Sequence, residues 1–459
     1  MNDSWNANRG RPRRAAPTFT LSVHNSRCIK SRGGPPWPPV ALNCIILAPN
    51  PLQVINKMQI DTDPIYQFYT NHPYPPPIDN LDRARDMWQD PNVHRAEYHA
   101  MWSHKEYRAD LNVLIAGCGT WQAARYAVCH PDARVVAIDV SPTSLEHTTA
   151  LKQKYDLTNL DVRQLSIENA ADLDQQFDFI TCTGVLHHLV DPDAGLRALR
   201  SVLKPDGAMY LMVYAPYGRA GVYMLQEYCR RLGIGTSKEE IADLIAVLQQ
   251  LPEHHPLLAT QRGSREFVSD AIADALLNPR DRSYSVPQLL DFLERNHLKF
   301  GRWYWQAAYL PHCGSITATP HAKKLAALPE REQYMQMELW RGLMSNHSVL
   351  VHQGNDESGI RFDDEQYLRY VPIRLPWTTC VQERLPPGAA GALLNQTHLF
   401  SDLYLLVDAK QKQMYEAIDG LRCVAEIVDK VEGSAPAARD FFQKLWWYDQ
   451  VVFNTSSTT

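Results

Sequence analysis

The sequence predicts an α/β protein whose core is a doubly wound parallel sheet, and three observations carry that prediction. Short apolar strands alternate with helical patterns between about residues 109 and 215. A turn with two glycines, Gly117 and Gly119, follows the first strand, and Asp139 ends the second strand. Because ligands bind at the carboxyl ends of the strands in such sheets, the turn and the acid predict a ligand site there.

Apolar runs place the strands in order along the chain. Five strands are predicted at 111–115, 134–139, 160–164, 177–182 and 208–214. After a helix at 287–297, two further strands are expected near 299–310 and 347–352. The predicted sheet therefore has seven strands.

The helix before the fifth strand has well-marked boundaries. Asp191 can cap its first turn, and Pro192 suits the first helical position. One apolar face is formed by Leu196, Leu199 and Leu203, and the sequence Lys-Pro-Asp-Gly at 204–207 is expected to end the helix.

The chain before the sheet divides into two parts. Residues 1–57 hold eight prolines, eight basic residues and one acid without a sustained apolar period, which predicts a disordered extension. Patterned sequence begins at Met58, and a chain starting there is expected to fold as stably as the full chain. An aromatic, proline-rich arm then occupies 58–108.

A helical insertion interrupts the α/β domain, which is expected to span 109–354. The insertion covers 218–280 and holds two amphipathic helical patterns, the first running from Val222 to Leu232. In the second, Ser237 and Glu240 have the spacing of a capping box. We expect these helices to lie over the carboxyl edge of the sheet.

The last part of the chain, 355–459, predicts a small α+β domain with a winged-helix-like arrangement. Its expected elements are strands at 403–407 and 451–453 and helices at 410–418, 424–431 and 437–446. If this domain captures a peptide, the strand at 403–407 supplies the exposed edge. Composition instead favours Tyr404, Leu405 and Leu406 as core residues. Deletion of 396–459 separates the two hypotheses, because only a peptide-capture domain could be removed without loss of ligand binding at the sheet.

Charge and cysteine content exclude several function classes. Outside the basic first 57 residues the chain carries 38 basic and 50 acidic side chains, a net charge of −12, which disfavours general nucleic-acid binding. The nine cysteines form no C-x-x-C pair, so neither a disulfide framework nor a metal site is expected. No apolar stretch approaches the roughly 20 residues of a membrane span. These features predict a cytoplasmic protein without a membrane partner.

The glycine turn and Asp139 fit two cofactor classes. Asp139 lies 22 positions after Gly117 and can accept hydrogen bonds from ribose hydroxyls. A dinucleotide fingerprint would have glycine or alanine at the sixth position of the motif, where this chain has Gln122. A nicotinamide-dependent oxidoreductase is therefore disfavoured but stays an alternative. The other alternative function is that of a cofactor-binding module without catalytic activity.

At this point the sequence resembles the class I S-adenosylmethionine-dependent methyltransferases. The resemblance covers about 109–215 and rests on the glycine turn, Asp139, the strand 177–182 with the following 183–189 segment, and 203–207. It implies a Rossmann-like fold, S-adenosylmethionine as the cofactor, and a small metabolite or a modified peptide as the methyl acceptor. The C-terminal domain is similar, over a short stretch, to winged-helix modules of the PqqD type, some of which recognise leader peptides.

The resemblance also implies which residues contact the cofactor. The glycine turn would line methionine and ribose, Asp139 would bind the ribose, and Thr183 and Gly184 would lie near the sulfonium. Family members often have an acid after the third strand for the adenine amino group, where this chain has Ser166 and Ile167, with Glu168 close by. The implied cofactor-binding residues are Ala116, Gly117, Cys118, Gly119, Asp139, Val140, Ser166, Ile167, Thr183 and Gly184.

Candidates for catalysis and acceptor binding come from the strand ends and the arm. His187 and His188 follow the fourth strand and serve either as a general base or in packing around the cofactor. Tyr214 ends the fifth strand and is the third catalytic candidate. Tyr74 in the arm and Tyr217 after the fifth strand are the candidate substrate contacts.

Overall fold

The computed structural model describes residues 63–260, 263–354 and 359–456. The predicted extension 1–57 and the proposed start at Met58 lie outside these residues. Within the described chain, no helix combines the length and apolar character that crossing a membrane requires.

A central sheet of seven strands organises the fold. Its strands are β1 (Asn112–Ala116), β2 (Arg134–Asp139), β3 (Leu160–Gln164), β4 (Phe177–Thr183), β5 (Leu203–Tyr214), β6 (Lys299–Trp303) and β7 (Asn346–His352). Their order in the sheet is β3-β2-β1-β4-β5-β7-β6. Successive strands are added on one side from β1 to β3 and on the other side from β4 onward, so the strand order reverses between the parallel neighbours β1 and β4. The predicted fold class and the number of strands are confirmed.

Two details of the sheet differ from the sequence prediction. Strand β7 is antiparallel to both β5 and β6, so the sheet is mixed rather than wholly parallel. The expected strand at 299–310 ends at Trp303, because a 3₁₀ turn at Ala307–Tyr309 follows it.

Helices cover both faces of the sheet. Those before and within it are α1 (Pro64–Asn71), α2 (Asp82–Met87), α3 (Pro91–Met101), α4 (Gln122–Cys129), α5 (Pro142–Lys154) and α6 (Pro192–Ser201). As predicted, Asp191 caps α6 by accepting a hydrogen bond from the backbone N–H of Ala194. The expected end of α6 at 204–207 is wrong. The helix ends at Ser201, and Leu203 already begins β5, because Lys204 binds the carboxylate of Asp178 at 2.8 Å and draws this segment onto β4.

The helical insertion follows β5 and has a small apolar core of its own. Its helices are α7 (Ala220–Leu232), α8 (Lys238–Leu248), α9 (Pro256–Thr260) and α10 (Ser269–Ile272), followed by a π-helical turn at Ala273–Leu277. The capping box of Ser237 and Glu240 is present. Leu232 does not share the inward face expected for it: it is 61% exposed, since α7 ends there at Gly233.

The remaining helices of the α/β part are α11 (Val286–Arg295), α12 (Ala322–Ala326) and α13 (Glu330–Arg341). The C-terminal part adds strands β8 (Val371–Arg374), β9 (Thr378–Val381), β10 (Gly391–Asn395), β11 (Tyr404–Val407) and β12 (Val451–Asn454), and helices α14 (Ala409–Glu416), α15 (Val424–Lys430) and α16 (Ala435–Trp447). The strands form two small sheets, β11-β10-β9 and β12-β8. The division into domains and the winged-helix comparison stay predictions.

Strand β11 is an edge strand, hydrogen-bonded to β10. Tyr404 and Leu406 point outward and are exposed, so the expectation that they are core residues is wrong, whereas Leu405 is half-buried. The cause is the two-residue period of a strand, which places neighbouring side chains on opposite faces.

Buried charges attach the C-terminal part to the sheet. The fully buried Asp449 accepts hydrogen bonds from Arg302 at 3.2 Å and from the backbone N–H of Ala307 at 2.9 Å. Leu403 and Tyr448 belong to the main apolar core beside β5 and β7. This part of the chain therefore shares a core with the sheet.

Candidate functional site

A cavity of about 410 Å³ opens at the carboxyl ends of β1, β2, β4 and β5, where the strand order reverses between β1 and β4. The arm, the glycine turn, the ends of these strands and the helical insertion all contribute to its wall. Among the cofactor residues expected from the sequence, those that line it are Gly117, Gly119, Asp139, Val140, Ile167, Thr183 and Gly184.

The glycine turn has no room for side chains. Gly117 and Gly119 have φ values of +70° and +56°, in the left-handed region that favours glycine. A Cβ on Gly117 would lie 2.3 Å from a methyl group of Val185, and one on Gly119 would lie 2.8 Å from the carbonyl oxygen of Tyr74. The turn is thus closed on one side by the arm, and its bare backbone faces the cavity.

Asp139 anchors this turn. Its Oδ2 accepts a hydrogen bond from the backbone N–H of Gly119, and its Oδ1 accepts one from that of Ser141, each at 2.9 Å. Burial raises the pKa of the Asp139 carboxyl, and the backbone donors partly oppose that shift. Each carboxylate oxygen keeps a further lone pair that can accept another hydrogen bond.

Three of the expected cofactor residues lie outside the cavity wall. Ala116 and Cys118 are almost fully buried, and their side chains pack into the two cores that flank the sheet. Ser166 precedes a 3₁₀ helix, and the wall beside it is formed by Leu165, Ile167 and Glu168. Glu168 is therefore the acid on this part of the cavity wall.

Gln122 contributes to the wall as the first residue of α4. Its Oε1 accepts a hydrogen bond from the Thr183 hydroxyl at 3.1 Å, which joins the start of α4 to the end of β4. From the sequence, Gln122 was noted only because it departs from the dinucleotide pattern. In the structure it contacts Thr183, one of the residues expected to bind the cofactor.

The two histidines have different environments. His188 is 2% exposed and lines the cavity, and its Nδ1 lies 2.5 Å from the carbonyl oxygen of Arg280. His187 is fully buried behind the wall, and the centre of its ring lies 3.9 Å from that of the Tyr214 ring at an interplanar angle of 38°. Of the two, only His188 is placed to touch a bound molecule, so the catalytic expectation for His187 is not supported by its position.

The tautomer of His188 follows from its partner. A carbonyl oxygen accepts, so Nδ1 carries the proton, and Nε2 is left with its lone pair and no hydrogen-bond partner in the described structure. Burial lowers the pKa of His188, and the nearby Asp274 partly opposes that shift. The neutral ring can therefore accept a proton at Nε2.

Tyr214 belongs to a cluster that the sequence did not reveal. Its hydroxyl donates to Oδ2 of Asp274 at 3.2 Å, and the Tyr69 hydroxyl donates to Oδ1 at 2.7 Å. Asp274 comes from the π-helical turn of the insertion and Tyr69 from α1, 205 residues earlier. The aromatic run of the arm and the acid in the insertion were visible, but nothing in the sequence pairs them.

Of the two residues expected to contact substrate, one lines the cavity and the other does not. Tyr74 lines the cavity beside Pro75, whereas Tyr217 is 44% exposed and lies outside the wall. The place expected for Tyr217 is taken by Arg219, whose guanidinium stacks 3.6 Å from the centre of the Tyr214 ring and forms an ion pair with Asp281 at 2.7 Å.

No group of three or more potential metal ligands occurs in the described parts of the chain. The groups available at this cavity are a bare glycine turn, the Asp139 carboxylate that holds it, and a neutral histidine beside a tyrosine-bound carboxylate.

Comparisons with known proteins agree with this geometry. A family model described as a methyltransferase domain matches residues 114–209. An uncharacterised protein of Synechococcus sp. is 32% identical over 327 residues, which cover 68% of this chain and 77% of that protein. A ubiquinone biosynthesis O-methyltransferase of Xanthomonas euvesicatoria is 30% identical over 165 residues, or 34% of this chain and 68% of that enzyme.

Solved structures show the same fold. PKMT2 from Rickettsia typhi superposes with a TM-score of 0.58 at 15% identity, covering 80% of this chain and 75% of that one. Its complex with AdoHcy gives a TM-score of 0.55 at 17% identity, covering 82% of this chain and 74% of that one.

Proposed function

Because this chain belongs to the class I S-adenosylmethionine-dependent methyltransferases, we propose that it methylates a protic oxygen or nitrogen atom with His188 as general base. The observation that carries the proposal is that His188 lines the cofactor cavity and that its buried Nε2 has no hydrogen-bond partner in the described structure. The acceptor is a small metabolite or a peptide.

The residues present fit the cofactor. The glycine turn offers a cradle that any Cβ would fill, Asp139 offers acceptors for the ribose, and Glu168 offers one for the adenine amino group. When bound, S-adenosylmethionine supplies a sulfonium methyl group that is already an activated electrophile. The protein therefore needs chiefly to hold the acceptor in line and to remove its proton.

His188 is suited to the second task. Its Nδ1–H is held by the Arg280 carbonyl, which fixes the ring and leaves Nε2 to accept the acceptor's proton. Since burial lowers its pKa, His188 is neutral at and above the usual titration range of histidine, near pH 6.5. Activity should thus fall only when the pH drops below that lowered pKa.

A neighbouring cavity supports an acceptor that extends beyond the cofactor site. It measures about 430 Å³ and shares Met212, Ser345 and Asn346 with the cofactor cavity. Its far side is lined by Leu399 and Phe400 of the C-terminal part. The body of a small metabolite or a peptide segment fits there, with its nucleophile directed to the cofactor.

The name of the curated relatives, O-methyltransferase, supports oxygen as one of the two acceptor atoms. No observation favours the nicotinamide-dependent oxidoreductase or the binding module without activity. The proposal includes neither a nucleic-acid nor a membrane partner, on the strength of the charge of −12 outside residues 1–57.

The test uses methyl-labelled S-adenosylmethionine with fractionated cell extract, and mass spectrometry identifies the labelled product. His188→Gln should lower the rate about 10²- to 10⁴-fold, the usual range for losing a general base, and remove the acid limb of the pH profile. AdoHcy affinity should not change. His187→Phe, which keeps a ring of similar shape behind the wall, is the matched control and should retain its rate within a few-fold. An unchanged rate and pH profile in His188→Gln would overturn the assignment.

A further inference from the structure

We propose that the acceptor atom is the nitrogen of a cationic amine, received by an acidic tyrosine pocket formed by Asp274, Tyr69, Tyr74 and Tyr214. This inference rests on the proposed function and adds the substrate class. All four residues line the cofactor cavity on the side of His188.

Asp274 is a buried carboxylate without a cationic partner. It is 3% exposed, and the hydrogen bonds it receives come from the neutral hydroxyls of Tyr69 and Tyr214. In the described structure it takes part in no ion pair. Two arginines that contact the neighbouring Tyr214 and His188 pair with other acids, Arg219 with Asp281 at 2.7 Å and Arg280 with Asp63 at 3.4 Å.

The pocket therefore holds one uncompensated negative charge. Burying a carboxylate without a cation is costly, and the two tyrosine donors offset only part of that cost. Burial and the charge of Asp274 raise the pKa values of Tyr69 and Tyr214, so both stay protonated as donors. A ligand cation would complete the electrostatic balance, whereas a neutral hydroxyl group would leave the charge unmatched.

The rings of the pocket reinforce this preference. Tyr69, Tyr74 and Tyr214 present aromatic surfaces to the same cavity, and aromatic faces attract ammonium groups. The centre of the Tyr69 ring also lies 6.1 Å from that of the His188 ring, which brings the carboxylate cluster and His188 into one corner of the cavity.

The proton and electron balance of the step is simple. The bound ammonium group gives one proton to His188 Nε2, and its lone pair forms the new N–CH₃ bond. The S–CH₃ bond breaks with its electron pair remaining on sulfur. The product is a secondary ammonium ion, and the proton on His188 passes to solvent when the site opens.

One other cation could be matched by Asp274, namely the sulfonium of the cofactor. The two explanations differ in what they require of AdoHcy, which has no sulfonium. If Asp274 serves the sulfonium alone, an amine gains nothing from it in a protein saturated with AdoHcy.

The experiment measures binding of two isosteric probes, 2-phenylethylamine and 2-phenylethanol, to the AdoHcy-saturated full chain by calorimetry. We expect the amine to bind at least tenfold more tightly than the alcohol. Asp274→Asn should weaken binding of the amine at least tenfold and leave the affinities for the alcohol and for AdoHcy unchanged. Asp270→Asn, an acid on the preceding turn outside the cavity wall, is the matched control and should change neither probe.

Equal binding of the two probes, or binding of neither at millimolar concentration, would overturn the proposal, and this comparison requires no variant to fold. A loss in Asp274→Asn of S-adenosylmethionine affinity alone would assign the carboxylate to the sulfonium instead. Failure here is separate from failure of the proposed function, because alcohol methylation that still depends on His188 would refute the amine while keeping the general base.

Discussion

Replacement of Asp139 by alanine tests the cofactor end of the cavity in the most quantitative way. The carboxylate lies at the end of β2, where it anchors the glycine turn through Gly119 and lines the cavity at the position expected for ribose. Each hydrogen bond from a ribose hydroxyl to a charged acceptor contributes about 1.5–3 kcal/mol. Two such bonds correspond to a loss of about 3 kcal/mol or more, or roughly a hundredfold in affinity.

Water can replace part of this interaction in the variant, so the expected loss in AdoHcy affinity is at least tenfold. Calorimetry on wild type, Asp139→Ala and Asp161→Ala measures it. Asp161 is the matched control, because it is an exposed aspartate on the adjacent strand β3, where it pairs with Arg163. An affinity of Asp139→Ala within twofold of wild type, at an unchanged melting temperature, would refute the ribose assignment.

Three further perturbations test the architecture around the site. Gly119→Ala should weaken AdoHcy binding about tenfold or more by forcing the arm at Pro75 away, while Gly233→Ala, at a similar φ of +65° with open space around it, should alter only stability. Asp449→Asn should lower the free energy of unfolding by about 3–5 kcal/mol, measured by urea denaturation, because it leaves a buried arginine without its partner. Deletion of 396–459 should yield insoluble protein or abolish AdoHcy binding, since this segment shares the main core; a soluble protein with normal AdoHcy affinity would instead support a separable peptide-capture domain.

The strands and the cofactor turn could be predicted because their determinants are local. Strands β1, β2 and β4 are largely apolar runs bounded by turn residues, and the glycines and Asp139 lie at the ends of such runs. Strand ends in a doubly wound sheet meet at one edge, so topology alone brings Asp139 and Thr183 to the same cavity. The antiparallel direction of β7 could not be predicted, because an apolar run has the same composition whichever way the strand runs.

The acceptor side could be predicted only in part, because it depends on contacts distant in sequence. His187 and His188 are adjacent and chemically identical, and their different roles arise from a 3₁₀ turn that directs one ring into the cavity and the other behind Tyr214. Asp274 and Tyr69 meet across 205 residues, through the packing of the insertion on the arm. Neither feature has a periodicity or spacing that a single sequence displays.

A crystal structure of the AdoHcy complex will show whether cofactor and acceptor meet between Asp139 and His188. We expect both ribose hydroxyls within about 2.5–3.0 Å of the Asp139 carboxylate, and the sulfur beside Thr183 and Gly184, facing His188. This expectation would be contradicted by AdoHcy bound in another cavity, or with its ribose turned away, so that Asp139 keeps only its bonds to Gly119 and Ser141.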